Sequence, residues 1–185
     1  GTLNVTAKAE NKNYKDVTVE YTLKVTRKAV TVKADNKSKV FGEKDPELTA
    51  TVEGTLGKDT VEYTLSRKAG EDVGTYPITA SGKAEQGNYK VTYVAGTLTI
   101  TKAETMTLTP ELTGKDAEKE YDSKPLSGGA TASVTKGTTI TYSTDGGKTW
   151  SEELPSITNV GTLNVTAKAE NKNYKDVTVE YTLKV

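Results

Sequence analysis

The sequence predicts an all-β chain built from small antiparallel sandwich modules in series. Three observations lead there. Apolar and polar residues alternate with period two along most of the chain, and no stretch carries a sustained helical stripe. Turn signals recur about every 8–12 residues, the spacing expected of sandwiches and barrels. Finally, residues 1–25 and 161–185 are the same segment, GTLNVTAKAENKNYKDVTVEYTLKV, at an offset of 161 − 1 = 160. A fixed period signals a repeat architecture. Identity without a single substitution indicates recent duplication, because packing alone tolerates many hydrophobic swaps.

Each element follows from the alternation. Leu3, Val5, Ala7 and Ala9 share one face of a first strand whose other face carries Thr2, Asn4, Thr6 and Lys8. Val17, Val19, Tyr21, Leu23 and Val25 repeat the pattern against Thr18, Glu20, Thr22 and Lys24. The Asn-rich stretch 10–16 between them reads as a turn, so the duplicated segment is a long hairpin. Strands are then expected at 29–34, 48–52, 61–65, 76–80, 90–94 and 98–101. The second half adds 106–108, 130–134, 138–143 and the second copy of the hairpin. Immunoglobulin-like topology is the first expectation and a β-grasp-like sheet the alternative; the latter would place a helix across a sheet.

A weaker repeat lies inside the period. Val73-Gly74-Thr75 matches Val160-Gly161-Thr162, and Asn88-Tyr89 matches both Asn173-Tyr174 and Asn13-Tyr14. Phe41 to Tyr63 spans 63 − 41 = 22 residues, and Tyr121 to Tyr142 spans 142 − 121 = 21. The period therefore divides into two related modules, 26–102 and 103–185, each near the lower end of domain size. Residues 1–25 form the C-terminal half of a preceding module. No Gly/Ser or Pro-rich linker separates the modules, so the seam near Lys102 is expected to be short and semi-rigid, giving an elongated array.

Composition removes many functions. There are 25 basic and 25 acidic residues, so nothing favours nucleic acid or an anionic membrane. Arg27 and Arg67 are the only arginines, which argues against bidentate anion recognition. Cysteine and histidine are absent, removing disulfides, thiol chemistry, the usual zinc and haem ligands and histidine-dependent triads. No apolar run is long enough to span a membrane as a helix. No cofactor is expected.

Several segments resemble a known family. Val40-Phe41-Gly42-Glu43-Lys44-Asp45-Pro46-Glu47-Leu48-Thr49 is similar to the opening of the bacterial MBG domain of YGX type. The stretch 65–76, the Gly87-Asn88-Tyr89 turn and the closing Gly96-Thr97-Leu98-Thr99-Ile100 are similar too. Phe41 stands where that family usually has Tyr. Tyr121-Asp122-Ser123-Lys124-Pro125 resembles the opening of a sister repeat. The resemblance implies tandem modules of a surface protein or adhesin of Gram-positive type, extracellular and wall-anchored through other regions.

The strongest chemical motif is Ser143-Thr144-Asp145-Gly146-Gly147-Lys148-Thr149-Trp150, which fits the Asp-box pattern of sialidases. Its physical content is a hairpin turn: Asp145 bonds backbone amides, Gly146 and Gly147 take positive φ, and Trp150 folds back as a packing plug. Two arginines cannot supply a sialidase's arginine cluster. Carboxylate pairs at Glu152-Glu153, Glu118 with Glu120, and Asp35 with Asp45 read as solvated turn charges, since glycoside hydrolysis needs two carboxyls at fixed separation in a cleft. Oxygen-rich turns at Asp35-Asn36 and Asp145 lack the dense spacing of a calcium loop, so no metal is expected. Tyr76 after an acidic turn resembles a tyrosine corner, with its hydroxyl on nearby backbone. Tyr89 and Tyr174, each after Asn, are expected to pin the bases of their hairpins in the same way.

These readings exclude catalysis and leave two functions. One is a stalk that projects a distal adhesive domain, with neighbouring repeats as the partners. The alternative is a multivalent weak binder of host glycan or matrix protein, which an exposed cluster of Trp150, Tyr121 and Tyr142 would favour.

Overall fold

A computed structural model describes residues 1–112 and 117–185, and among these there is no helix. A first hairpin, β1 (Thr2–Asn11) and β2 (Tyr14–Lys24), is followed by β3 (Lys28–Ala34), β4 (Lys37–Val40), β5 (Ala50–Glu53) and β6 (Thr64–Arg67). Then come β7 (Gly74–Ser81), β8 (Glu85–Gln86), β9 (Tyr89–Val94) and β10 (Gly96–Thr101). The second half holds β11 (Leu108–Pro110), β12 (Ala117–Glu118), β13 (Leu126–Ser127), β14 (Ala130–Ala132) and β15 (Thr138–Ser143). It ends with β16 (Ser156–Ile157) and a second hairpin, β17 (Thr162–Asn171) and β18 (Tyr174–Lys184). The all-β class stands, and the helix that β-grasp-like modules require is absent from the described residues.

The chain divides into two compact units that interleave in sequence. One comprises Gly1–Lys37, Glu47–Lys68 and Pro77–Thr97, the other Ser38–Pro46, Ala69–Tyr76 and Leu98–Val185.

In the first unit, β3 is central. It pairs antiparallel with β5 (Val32↔Val52) and parallel with β9 (Val30↔Val91), which pairs antiparallel with β8. A separate ladder joins β6 and β7, with Leu65 opposite Ala80. The period-two pattern sends Val30, Val32 and Ala34 of β3, and Ile78 and Ala80 of β7, out of solvent. Each fully buried aliphatic side chain contributes about 1.5–3 kcal/mol.

In the second unit, a four-stranded sheet runs β12-β18-β17-β15, flanked by two-stranded pairs β11-β14 and β13-β16. Val165, Ala167 and Ala169 of β17 and Tyr181 and Leu183 of β18 form one core with Met106, Leu108, Ala130 and Tyr142. Ser143 lies beside Thr166 at the end of the β15–β17 ladder.

Two ladders depart from the expected antiparallel arrangement. β3 with β9 and β12 with β18 are parallel. Alternation along one strand reports which face is buried and carries no information about the partner's direction. A parallel pair needs a crossover of a dozen residues or more, and the 34–89 segment supplies it with strands of its own.

The strand expected at 61–65 begins only at Thr64. Here the Gln86 carboxamide takes the place of a neighbouring strand. Its oxygen accepts from the Glu62 amide at 2.7 Å and its nitrogen donates to the Glu62 carbonyl at 2.8 Å. Five further strands, β4, β8, β12, β13 and β16, are not among those expected from the alternation, being only two to four residues long.

Candidate functional site

The Asp-box segment forms a closed turn at the end of β15. Ser143 is almost fully buried. Its hydroxyl donates to Asp145 Oδ1 at 2.8 Å and accepts the Gly147 amide at 2.8 Å. Asp145 Oδ1 also accepts the amides of Lys148 (2.9 Å) and Thr149 (3.0 Å), while Oδ2 accepts the Thr149 hydroxyl at 2.7 Å. Gly146 and Gly147 adopt φ of 75° and 85°, where a Cβ would be strained. Tyr142 and Ser151 close the base with paired backbone bonds of 2.7 and 3.0 Å.

These donors hold the Asp145 carboxyl far below the usual carboxylate range, the Thr149 hydroxyl first, then the Thr149 amide and Ser143. A carboxylate held ionised by its own turn has no proton to give at neutral pH, so it is not a general acid there. The arrangement is a staple.

Trp150 folds back onto this turn, donating Nε1–H to the Gly147 carbonyl at 3.1 Å. It is not a fully inserted plug, because 37% of its surface stays exposed. Lys168 Nζ lies 4.9 Å from the ring centroid, so a cation rests over the indole. Of the three aromatic residues proposed for a sugar platform, Tyr142 is in the core, its hydroxyl accepting the Ala130 amide at 3.2 Å. It is therefore unavailable to ligand.

The corner tyrosines behave differently from one another. Tyr76 donates to the Asp72 carbonyl, four residues upstream, at 2.8 Å. Gly70, at φ 149°, lies under the Tyr76 ring, where a Cβ would collide with it. Tyr89 does not bond its own hairpin base. It donates to Asp59 Oδ2 at 2.6 Å and accepts the Leu56 amide at 3.1 Å, fastening a loop about thirty residues upstream. The bond to Asp59 favours the protonated hydroxyl and pushes the Tyr89 phenol above its ordinary range. Tyr174 acts through its ring, edge-on to Phe41 at 5.4 Å and 70°.

That contact belongs to a clasp that sequence reasoning missed. At the tip of the second hairpin, Asn173 donates Nδ2–H to Asp72 Oδ1 at 2.9 Å and accepts the Val73 amide at 2.9 Å. Lys172 pairs with Asp72 Oδ2 at 3.0 Å. Asn173 first, then Lys172, favours the charged carboxylate and holds Asp72 below the usual carboxylate range. Ala103 exchanges backbone bonds with Asn173 (3.0 Å) and Lys175 (2.8 Å). Ala103, next to the expected seam at Lys102, is thus held in the second unit. Asn-Tyr pairs signal a turn, and nothing in their spacing names the partner loop.

The other charged residues have local work. Lys39, with a 3% exposed side chain, donates to Asp45 at 2.7 Å, Glu71 at 2.5 Å and the Glu43 carbonyl at 3.1 Å. Asp45 first, then Glu71, raises its ionisation. Asp35 accepts the hydroxyls of Thr49 and Thr51, and Glu118 pairs with Lys184. Asn36 accepts the Thr97 amide at 2.9 Å. Among the described residues no cluster of three acidic groups could hold a metal.

A groove of about 1140 Å³ in the first unit is lined by Asp59, Glu62, Tyr63, Gln86 and Tyr89 among others. Gln86 in its wall donates to the Lys83 carbonyl (3.1 Å) and the Tyr93 hydroxyl (3.0 Å), so that carboxamide is committed within the unit.

Fold and site together define a class: an all-β repeat segment whose special residues secure turns and joints. Residues 30–99 match the family model for the MBG domain (YGX type). No curated protein matches the sequence. Similar solved structures include the tandem Ig repeats of Dlar, 15% identical, covering 84% of this chain and 96% of that one with a TM-score of 0.28. PcdhgB3 EC1-4 is 11% identical over 100% of this chain and 56% of its own, with a TM-score of 0.34. Mouse protocadherin-24 EC1-3 is 10% identical over 100% and 79%, with a TM-score of 0.29. Scores this low carry no argument about arrangement or function.

Proposed function

We propose that the chain is part of the repeat region of a bacterial cell-surface adhesin and acts as a spacer that projects a distal binding domain. The duplicated hairpin supports this reading most directly: an unaltered 25-residue segment recurs after 160 residues and closes the core of the second unit. Copying such a unit extends a polypeptide without designing new contacts, since repeat arrays are stabilised by neighbour interactions alone. The match of 30–99 to the MBG domain supports a repeat module of extracellular type, and the wall-anchored setting is part of the proposal. The motifs with the look of chemistry satisfy themselves internally, so the segment is read as non-enzymatic.

Arrays of one, two and four periods, displayed on a bacterial surface beneath a common binding domain, test the proposal. Capture of a ligand buried in a thick polymer brush should improve with copy number. Equal capture by all three would refute a spacer role. Binding of glycan or matrix protein by the repeats themselves, rising with copy number, would favour the multivalent alternative.

A further inference from the structure

The two identical hairpins occupy opposite environments. In the second, Val165 and Tyr181 face each other in the ladder and are 1% and 2% exposed, while Leu183, Ala167 and Ala169 are inaccessible. In the first, the same register pairs Val5 with Tyr21 and Leu3 with Leu23. There, Leu3, Val17, Val19, Tyr21 and Leu23 are all about half exposed or more. The backbone shows a second difference. β17 is paired on both sides, by β18 and by β15 from Thr138↔Asn171 to Ser143↔Thr166, whereas β1 pairs with β2 alone. An apolar face and an open edge on one two-stranded ribbon are unstable and adhesive features.

We propose that the first hairpin is an acceptor surface for a second copy of residues 103–160, carried ahead of Gly1 on the same polypeptide. The second hairpin shows the fit. Met106, Leu108 and Ala132 cover its apolar face, the Gly128 carbonyl accepts the Tyr181 hydroxyl at 2.7 Å, and a Cβ at Gly128 would crowd Leu183. Asn171 donates to the Lys136 carbonyl and the Thr138 hydroxyl at the far end of the edge. Every hairpin residue in that interface has an identical counterpart 160 positions earlier, so the same segment seats on Leu3, Val5, Tyr21 and Leu23 in the same register. A second molecule is the weaker occupant. Its own 103–160 segment already holds its own 161–185, and exchanging one hairpin for an identical one gains nothing while giving up an intramolecular connection. The inference rests on the repeat reading above and not on any surface role. It can hold even if reach does not grow with copy number.

The test extends the full chain by placing residues 103–160 before Gly1, which recreates the Val160–Gly161 junction. Amide hydrogen exchange is then read in both hairpins. In the 1–185 chain, amides of Thr2–Asn11 should exchange faster than their twins in Thr162–Asn171 by about two orders of magnitude or more. In the extended chain the two sets should become equal. Leu23→Asp in the extended chain should restore fast exchange in the first hairpin and leave the second protected. Persistent fast exchange in the unsubstituted extended chain would overturn the proposal. So would protection of Thr2–Asn11 in the 1–185 chain that rises with concentration alongside dimers in sedimentation, which would make a second molecule the occupant.

Discussion

Leu23 and Leu183 sit at the same place in the same 25-residue sequence, one 52% exposed and the other inaccessible. Replacing each by Ala measures tertiary burial with local propensity held fixed. At Leu183 the change removes a fully buried side chain from a closed core, so the transfer and cavity costs add to about 3–5 kcal/mol. At Leu23 no cavity forms and only about half of the side chain leaves water, giving roughly 1 kcal/mol or less. The difference should therefore be about 2–4 kcal/mol. Effects on the unfolded chain cancel, because both residues have the same neighbours in sequence. Trp150 is the only tryptophan and lies in the second unit, so its fluorescence during urea unfolding reports on that unit. Leu183→Ala should lower its midpoint sharply. Leu23→Ala, in the other unit, should leave it in place and show its smaller cost only in circular dichroism of the whole chain. Equal shifts would refute the reasoning, since they would mean that both hairpins bear the same load.

Other consequences can be checked in parallel. Trp150→Ala should cost about 2–3 kcal/mol by circular dichroism, less than a fully buried tryptophan because the residue is already 37% exposed. Asp145 is held ionised in the fold, so its contribution is complete above the unfolded value near pH 4 and falls as pH drops toward the lower folded value. Asp145→Asn should destabilise the turn at neutral pH and remove that acid dependence from Trp150-monitored unfolding. Burial first, then Tyr142 and Glu111, pushes the Tyr181 hydroxyl upward. The stability it adds is present below about pH 10 and lost as pH rises toward the folded value; Tyr181→Phe should flatten that alkaline limb in a urea series. Asn173→Ala should remove the Val73 amide's acceptor and leave Asp72 with Lys172 alone, seen as faster amide exchange at Val73 with the core of 103–185 unchanged.

Much of the fold was legible because alternation is a local property. The long hairpins, β3, β7, β9 and β15 all carry enough residues for the period to show. What escaped was non-local. Whether β9 lies parallel to β3 depends on how the intervening chain crosses over, and no residue in either strand encodes that. At the Asp-box, Ser143, Asp145 and the two glycines specify their own turn, so the geometry could be read from eight consecutive letters. Tyr89 and Tyr174 could not be read this way, because their partners lie about thirty and more than a hundred residues away. Exposure followed the same rule: Leu23 and Leu183 are indistinguishable in sequence, and only the strands around them tell them apart.

The central claim, that this period exists to build length, meets its most direct test in single-molecule contour measurements. Arrays of one to four 160-residue periods should lengthen by a constant increment of several tens of ångströms per added period, set by strands of about 33 Å. Arrays that fold back so that measured length levels off after the first period would contradict it.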